Sequence, residues 1–104
     1  MIELDKNNYD ETVKSTDKLL VVDFWGTTCA PCMALKPIIE GYEKEFEGKA
    51  VFAEVNIQGN RRLALREKVM GLPTILFYKN GEKIDELVVD FSPPQLKKKI
   101  GELV

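Results

Sequence analysis

The sequence predicts an α/β domain in three layers: a central mixed β-sheet with helices on both faces, in the order β-α-β-α-β-α-β-β-α. Three observations carry this. The segments 19–25 (Leu-Leu-Val-Val-Asp-Phe-Trp) and 50–57 (Ala-Val-Phe-Ala-Glu-Val-Asn-Ile) are short and rich in β-branched and aromatic residues, as buried strands are. Between them, Leu35, Ile38, Ile39, Tyr42 and Phe46 follow the i, i+3, i+4, i+7, i+11 spacing of one helix face. That makes a βαβ unit, whose strands are expected to be parallel with a right-handed crossover. Third, Lys79-Asn80-Gly81-Glu82 is a hairpin signal, because Asn-Gly suits a type I′ turn. A parallel part followed by an antiparallel hairpin gives a mixed sheet covered on both faces.

In chain order, residues 2–5 read as a short edge strand. Asn7 or Asn8 caps a helix to about Lys14, with Tyr9 and Val13 on one face. The polar turn Ser15-Thr16-Asp17-Lys18 leads to strand 19–25 and then to a helix over 31–47, ended by Gly48-Lys49. Pro37 lies inside that helix, removes one backbone hydrogen bond and predicts a kink. After strand 50–57, Asn60 caps a helix through about Val69, with Leu63, Ala64 and Leu65 among its apolar positions. Met70-Gly71-Leu72-Pro73 breaks it, 74–78 is a strand, and 83–89 returns from the hairpin. Pro93-Pro94 opens a last helix with Leu96, Ile100 and Leu103 on one face.

At 104 residues the chain reads as one domain, 1–104, without linker, repeat or low-complexity segment. A net charge of −2 gives no reason to expect nucleic acid or an anionic membrane as partner. No apolar run approaches the roughly 18 residues that a membrane-spanning helix requires. Met1-Ile2-Glu3-Leu4-Asp5-Lys6 lacks the basic start and apolar block of a signal peptide, so a cytoplasmic location is expected. There is no histidine, which removes Ser-His-Asp and Cys-His catalysis and every imidazole-dependent metal site. No phosphate-binding loop or GxGxxG is present either. Lys97-Lys98-Lys99 fans around its helix and reads as a solvated face.

The chemistry concentrates in Cys29-Ala30-Pro31-Cys32, where a strand has ended and a helix begins. The first turn of a helix offers unpaired N–H groups and the positive end of the dipole, and both stabilise a thiolate. Pro31 fits there because its missing N–H costs nothing. Two residues between the cysteines allow a small ring, so the pair can cycle between dithiol and disulfide. A structural disulfide or half a zinc site are the other readings, although zinc would need carboxylates or a second chain to complete four ligands.

These residues bring in a family. Val22-Asp23-Phe24-Trp25, Cys29-x-Pro31-Cys32, Pro37, Val55-Asn56-Ile57, Gly71-Leu72-Pro73-Thr74 and Lys79-Asn80-Gly81-Glu82 together resemble thioredoxin over essentially the whole chain. The resemblance implies the thioredoxin-like three-layer fold. It also implies that Cys29 attacks a partner's disulfide and Cys32 resolves the mixed disulfide. Asp23 would lie beneath Cys32 as its proton acceptor and donor. Pro73 would be a cis-proline that, with Leu72, presents a backbone edge to an extended substrate segment. Trp25, Ala30 and Pro31 would shape the surface around it. From the residues alone, Asp23 can also be a satisfied buried carboxylate, Trp25 plain core, and Pro73 helix punctuation.

The departures from the family pattern are specific. Ala30 replaces the usual glycine, Thr28 a usual tryptophan, and Met33 a common lysine. Val89 stands where a glycine usually lines the substrate groove, which predicts narrower docking. Glu54 stands where a lysine usually reaches toward the buried Asp. Two carboxylates there would raise one pKa, so Asp23 and Glu54 are expected to share a proton and tune Cys32, unless Glu54 simply reaches solvent. With Asn60-Arg61-Arg62-Leu63-Ala64, these departures resemble thioredoxin-like proteins of anaerobic bacteria, including those associated with amino-acid reductase systems.

The function implied is a thiol–disulfide oxidoreductase that reduces protein disulfides. It would need no bound organic cofactor or metal, would be regenerated by a thioredoxin-reductase-type electron donor, and would act as a monomer. The alternative is a binding subunit or chaperone that uses the same groove and dispenses with redox chemistry.

Overall fold

A computed structural model describes residues 1–104. The elements are β1 (Ile2–Leu4), α1 (Tyr9–Ser15), β2 (Leu19–Trp25), α2 (Ala30–Glu45), β3 (Ala50–Asn56), α3 (Arg61–Arg66), β4 (Thr74–Lys79), β5 (Glu82–Val88) and α4 (Pro93–Leu103). This is the order read from the sequence. The five strands form one sheet in the order β1-β3-β2-β4-β5. β1, β3 and β2 are parallel, and β4 and β5 are added antiparallel.

Side chains alternate across the sheet, and two cores follow. Leu20, Val22 and Phe24 of β2 join Ala53 and Val55 of β3, and they pack with Tyr9 of α1 and Leu63 and Ala64 of α3. Leu19 and Val21 take the other face with Phe52, where Leu35 and Ile39 of α2 meet Leu96 and Ile100 of α4. The same alternation puts Asp23 and Trp25 on the α2 face of β2, and Glu54 on the α2 face of β3. Asp23 and Glu54 are direct neighbours in the parallel register. A strand otherwise made of core residues therefore carries a carboxylate under the helix that bears the cysteines.

The turn between β4 and β5 follows its residues: Asn80 and Gly81 both have positive φ, +54° and +83°, as a type I′ turn requires. The helix α4 opens on a capping box, with the Ser92 and Gln95 side chains each accepting from the other's backbone N–H.

Three local expectations are corrected. α3 stops at Arg66, three residues before Val69. Lys68 adopts φ +61°, the Val69 N–H reaches back to the Ala64 carbonyl and the Lys68 N–H to Leu65. This is a Schellman ending, with lysine at the position usually given to glycine. It turns Val69 into the core and leaves Leu65 (62% exposed) and Met70 (80%) outside. Asn60 precedes α3 but makes no capping hydrogen bond. Its side chain ties Asn56 and Lys6 together instead. Asn8 likewise accepts from Asp5 N–H and donates to the Glu3 carbonyl rather than capping α1.

Candidate active site

β2 ends at Trp25, and the chain reaches Cys29 through a tight loop closed by the Cys29 N–H to the Gly26 carbonyl at 3.1 Å. Cys29 is the N-cap of α2, in extended conformation, with Ala30 and Pro31 opening the helix. Cys29 and Cys32 form a disulfide with Cα atoms 5.3 Å apart. The backbone N–H of Cys32 points at Cys29 Sγ, 3.2 Å away. That donor, with the helix dipole, favours negative charge on the Cys29 sulfur once the disulfide opens. Cys29 is half-buried, whereas Cys32 is 1% exposed. A partner sulfur therefore has access to Cys29 only.

The Leu72–Pro73 peptide bond is cis. Pro73 is buried, and it borders a hollow with Pro31 and Ala34 from the start of α2. Leu72 lies on the other side, lining a second hollow with Ile57 and Met70. Ala30 and Pro31 are exposed beside the cysteines. Ile38, which the helix periodicity puts on the buried face, lines the hollow with Pro31 and Pro73 and remains partly exposed.

Asp23 is 1% exposed, and neither of its carboxylate oxygens has a hydrogen-bond partner. Its pKa is pushed up to about 7, first by burial and then by the nearby Glu54 charge, with Lys36 acting in the opposite direction. A carboxyl that titrates near neutrality can both take and return a proton at working pH.

No hydrogen bond joins Glu54 to Asp23. Glu54 Oε1 instead meets Lys36 Nζ at 2.8 Å. The ammonium of Lys36 also lies 3.8 Å from the centroid of the Trp25 ring. One lysine thus holds Trp25, Glu54 and, through charge, Asp23. Lys36 is absent from the sequence-derived site. The signal for it was present: it follows Cys32 by four residues, which places it on the same helix face, above the strand that carries Glu54.

No group of three or more His, Cys, Asp and Glu side chains is placed to hold a metal. No helix is long and apolar enough to cross a membrane.

An accessible cysteine at a helix start, bonded to a buried partner three residues on, defines a pair suited to dithiol–disulfide exchange. Comparison with known proteins agrees. The family model described as Thioredoxin matches residues 1–102. The thioredoxin of Acetoanaerobium sticklandii is 46% identical over 87 residues, 84% of this chain and 83% of that one. The thioredoxin of Peptoclostridium acidaminophilum is 38% identical over 90 residues, 86% and 82% of the two chains. Among solved structures, a mutant thioredoxin from Halobacterium salinarum NRC-1 superposes with a TM-score of 0.86 at 25% identity, covering 98% of this chain and 88% of that one. The chain belongs to the thioredoxin family. With its Cys29–Cys32 pair it is a thiol–disulfide oxidoreductase, a reductase of protein disulfides, and a redox-dispensable binding subunit is not favoured. Membership implies disulfide-bearing protein substrates and a reductase that restores the dithiol.

Proposed function

We propose that Cys29 is the attacking thiolate, Cys32 the resolving thiol and Asp23 its proton acceptor. The Cys29 thiolate attacks one sulfur of a partner disulfide, forming a mixed disulfide and releasing the partner's other sulfur. Cys32 passes its proton to Asp23 and attacks Cys29 Sγ, which re-forms the Cys29–Cys32 disulfide. The partner leaves as a dithiol: it has gained two electrons, and its two thiolates take up two protons, one returned by Asp23 and one from water. The observation that carries this order is the difference in exposure between the two cysteines, with the Cys32 N–H aimed at Cys29 Sγ.

Trp25, Ala30, Pro31, Leu72 and Pro73 form the docking surface for an extended segment of the partner. Burial chiefly raises the proton affinity of Asp23, the Glu54 charge adds to it and Lys36 moderates it. The chain works as one domain and as a monomer in the cytoplasm, regenerated by a thioredoxin-reductase-type donor, with neither nucleic acid nor membrane as partner.

The test is a pair of serine variants and a synthetic peptide disulfide, with dithiothreitol as reductant. Cys29→Ser is expected to bring turnover down to the rate of dithiothreitol alone. Cys32→Ser is expected to accumulate a peptide adduct on Cys29, seen by mass spectrometry under non-reducing conditions. An adduct that forms on Cys32 in the Cys29→Ser variant and not on Cys29 in the other reverses the assignment.

A further inference from the structure

Val89 immediately follows β5 and has φ +54°, a left-handed conformation that a β-branched side chain strongly disfavours. The backbone there is held from both sides. The Val89 N–H donates to the Pro73 carbonyl at 2.8 Å, and the Asp90 N–H donates to Val88 at 2.6 Å. A glycine would take this conformation without strain, so valine at this position stores strain in the wall of the docking surface.

The side chain occupies a defined place. A Cβ added to Gly71 would come within 2.7 Å of Val89 Cγ2, so the valine fills the space directly over Gly71. Gly71 itself has no positive φ and is required there for room alone. On one side Val89 borders the hollow of about 240 Å³ that contains Pro31 and Pro73. On the other, Gly71 and Leu72 line the hollow of about 210 Å³ that runs toward Met70. Val89 is nonetheless 43% exposed, so an arriving chain would meet it. It forms a ridge between two apolar hollows, fixed to the carbonyl of the proline that borders both the cysteines' helix and the substrate edge.

We propose that Val89 is a specificity-determining residue for disulfide reduction, admitting partner segments with a small side chain opposite it and rejecting branched or aromatic ones. This deepens the docking surface assigned above and rests on that reading. An extended segment lying along the Leu72–Pro73 edge must pass the ridge. A glycine or alanine passes, whereas a leucine must displace a side chain whose backbone is already pinned at two points.

The probe is a set of synthetic peptide disulfides that carry glycine or leucine in turn at each of the positions flanking one cysteine, with dithiothreitol regenerating the enzyme. For the parent protein, kcat/KM is expected to favour glycine over leucine at one position by about tenfold or more, the scale on which a crowded pocket discriminates. Val89→Gly is expected to bring that ratio to within about twofold, and Val89→Leu to steepen it. Glycine accepts the left-handed backbone, so the first variant folds if the parent does. A ratio unchanged in both variants overturns the inference. If the ratio is unchanged while Cys29→Ser still abolishes turnover of these peptides, only the role of Val89 falls. If Cys29→Ser retains turnover, the reading of the site falls with it.

Discussion

On the α1/α3 face of the sheet the hydroxyls of Tyr9 and Tyr78 lie 2.6 Å apart, and Tyr78 also meets Glu67 at 2.7 Å. On the α2/α4 face Asp23 is buried as deeply, yet neither of its oxygens has a partner. The two sites answer the same physical problem differently. Each phenol is a buried polar group satisfied by another side chain, and burial pushes both tyrosines further above their ordinary pKa. They stay neutral through the range in which Asp23 titrates. No other protein group bonds the Asp23 carboxylate, and burial pushes its pKa up to about 7. Buried hydroxyls bonded to other side chains are silent to pH here, whereas burying a carboxylate that no other protein group bonds makes its charged form costly and moves its titration into the neutral range.

The largest expected effect follows from that cost. The ordinary value for Asp23 is 3.8, and in the folded protein it is about 7. Between those values the folded state keeps a proton that the unfolded chain has released. The native form therefore loses stability as pH rises through this window, by roughly 4 kcal/mol in total, and the loss levels off above the folded value. Asp23→Asn cannot ionise and lacks this slope. Urea unfolding of the oxidised proteins, followed by Trp25 fluorescence, is expected to show similar stabilities near pH 4 and a variant several kcal/mol more stable near pH 8. The same variant is expected to slow resolution of the mixed disulfide, because Cys32 loses its proton acceptor. A constant stability difference across pH would mean that Asp23 titrates as an ordinary surface carboxylate.

Tyr78→Phe probes the opposite face. It removes the group shared by Tyr9 and Glu67 and leaves the Tyr9 hydroxyl buried without its partner. A loss of about 1–3 kcal/mol is expected, equal near pH 6 and pH 8, with disulfide turnover unchanged. If this loss varied with pH as that of Asp23 does, the contrast between the faces would fail.

How much of this was legible beforehand follows from how local each cause is. The order of elements, the hairpin at Asn80-Gly81 and the cysteine pair at a helix start are written in short-range pattern, and the structure has all of them. That Glu54 lies beside Asp23 was implied by the family resemblance, and the parallel register of β2 and β3 makes them neighbours. What the sequence did not show depends on partners distant in the chain. Asn8 and Asn60 look like caps, but each was drawn to a neighbouring loop instead. The early end of α3 turns on a lysine adopting a backbone usually reserved for glycine, which the core rewards by burying Val69. The spacing from Cys32 puts Lys36 on the right face of its helix, but that it meets Glu54 at 2.8 Å is decided by the packing of α2 on β3.

Lys36 gives the smallest and most discriminating test of the comparison. If Asp23 is tuned by its surroundings rather than by burial alone, removing the one cation that faces it must move its titration. Lys36→Gln deletes the pair with Glu54 and the contact with the Trp25 ring, and it leaves the Glu54 charge uncompensated. Both changes disfavour the ionised form of Asp23, so its midpoint is expected to rise by some tenths of a unit to about one unit. The decline of stability with pH would then continue beyond the parent's plateau. NMR titration of the Asp23 carboxyl measures the shift directly, and Trp25 fluorescence reports the lost cation. Lys36→Arg keeps the charge and is expected to restore the parent midpoint, which a purely steric role for the lysine would not require. A midpoint unmoved in Lys36→Gln would assign the whole perturbation of Asp23 to desolvation. The charged pair would then belong with the satisfied, silent polar groups of the opposite face.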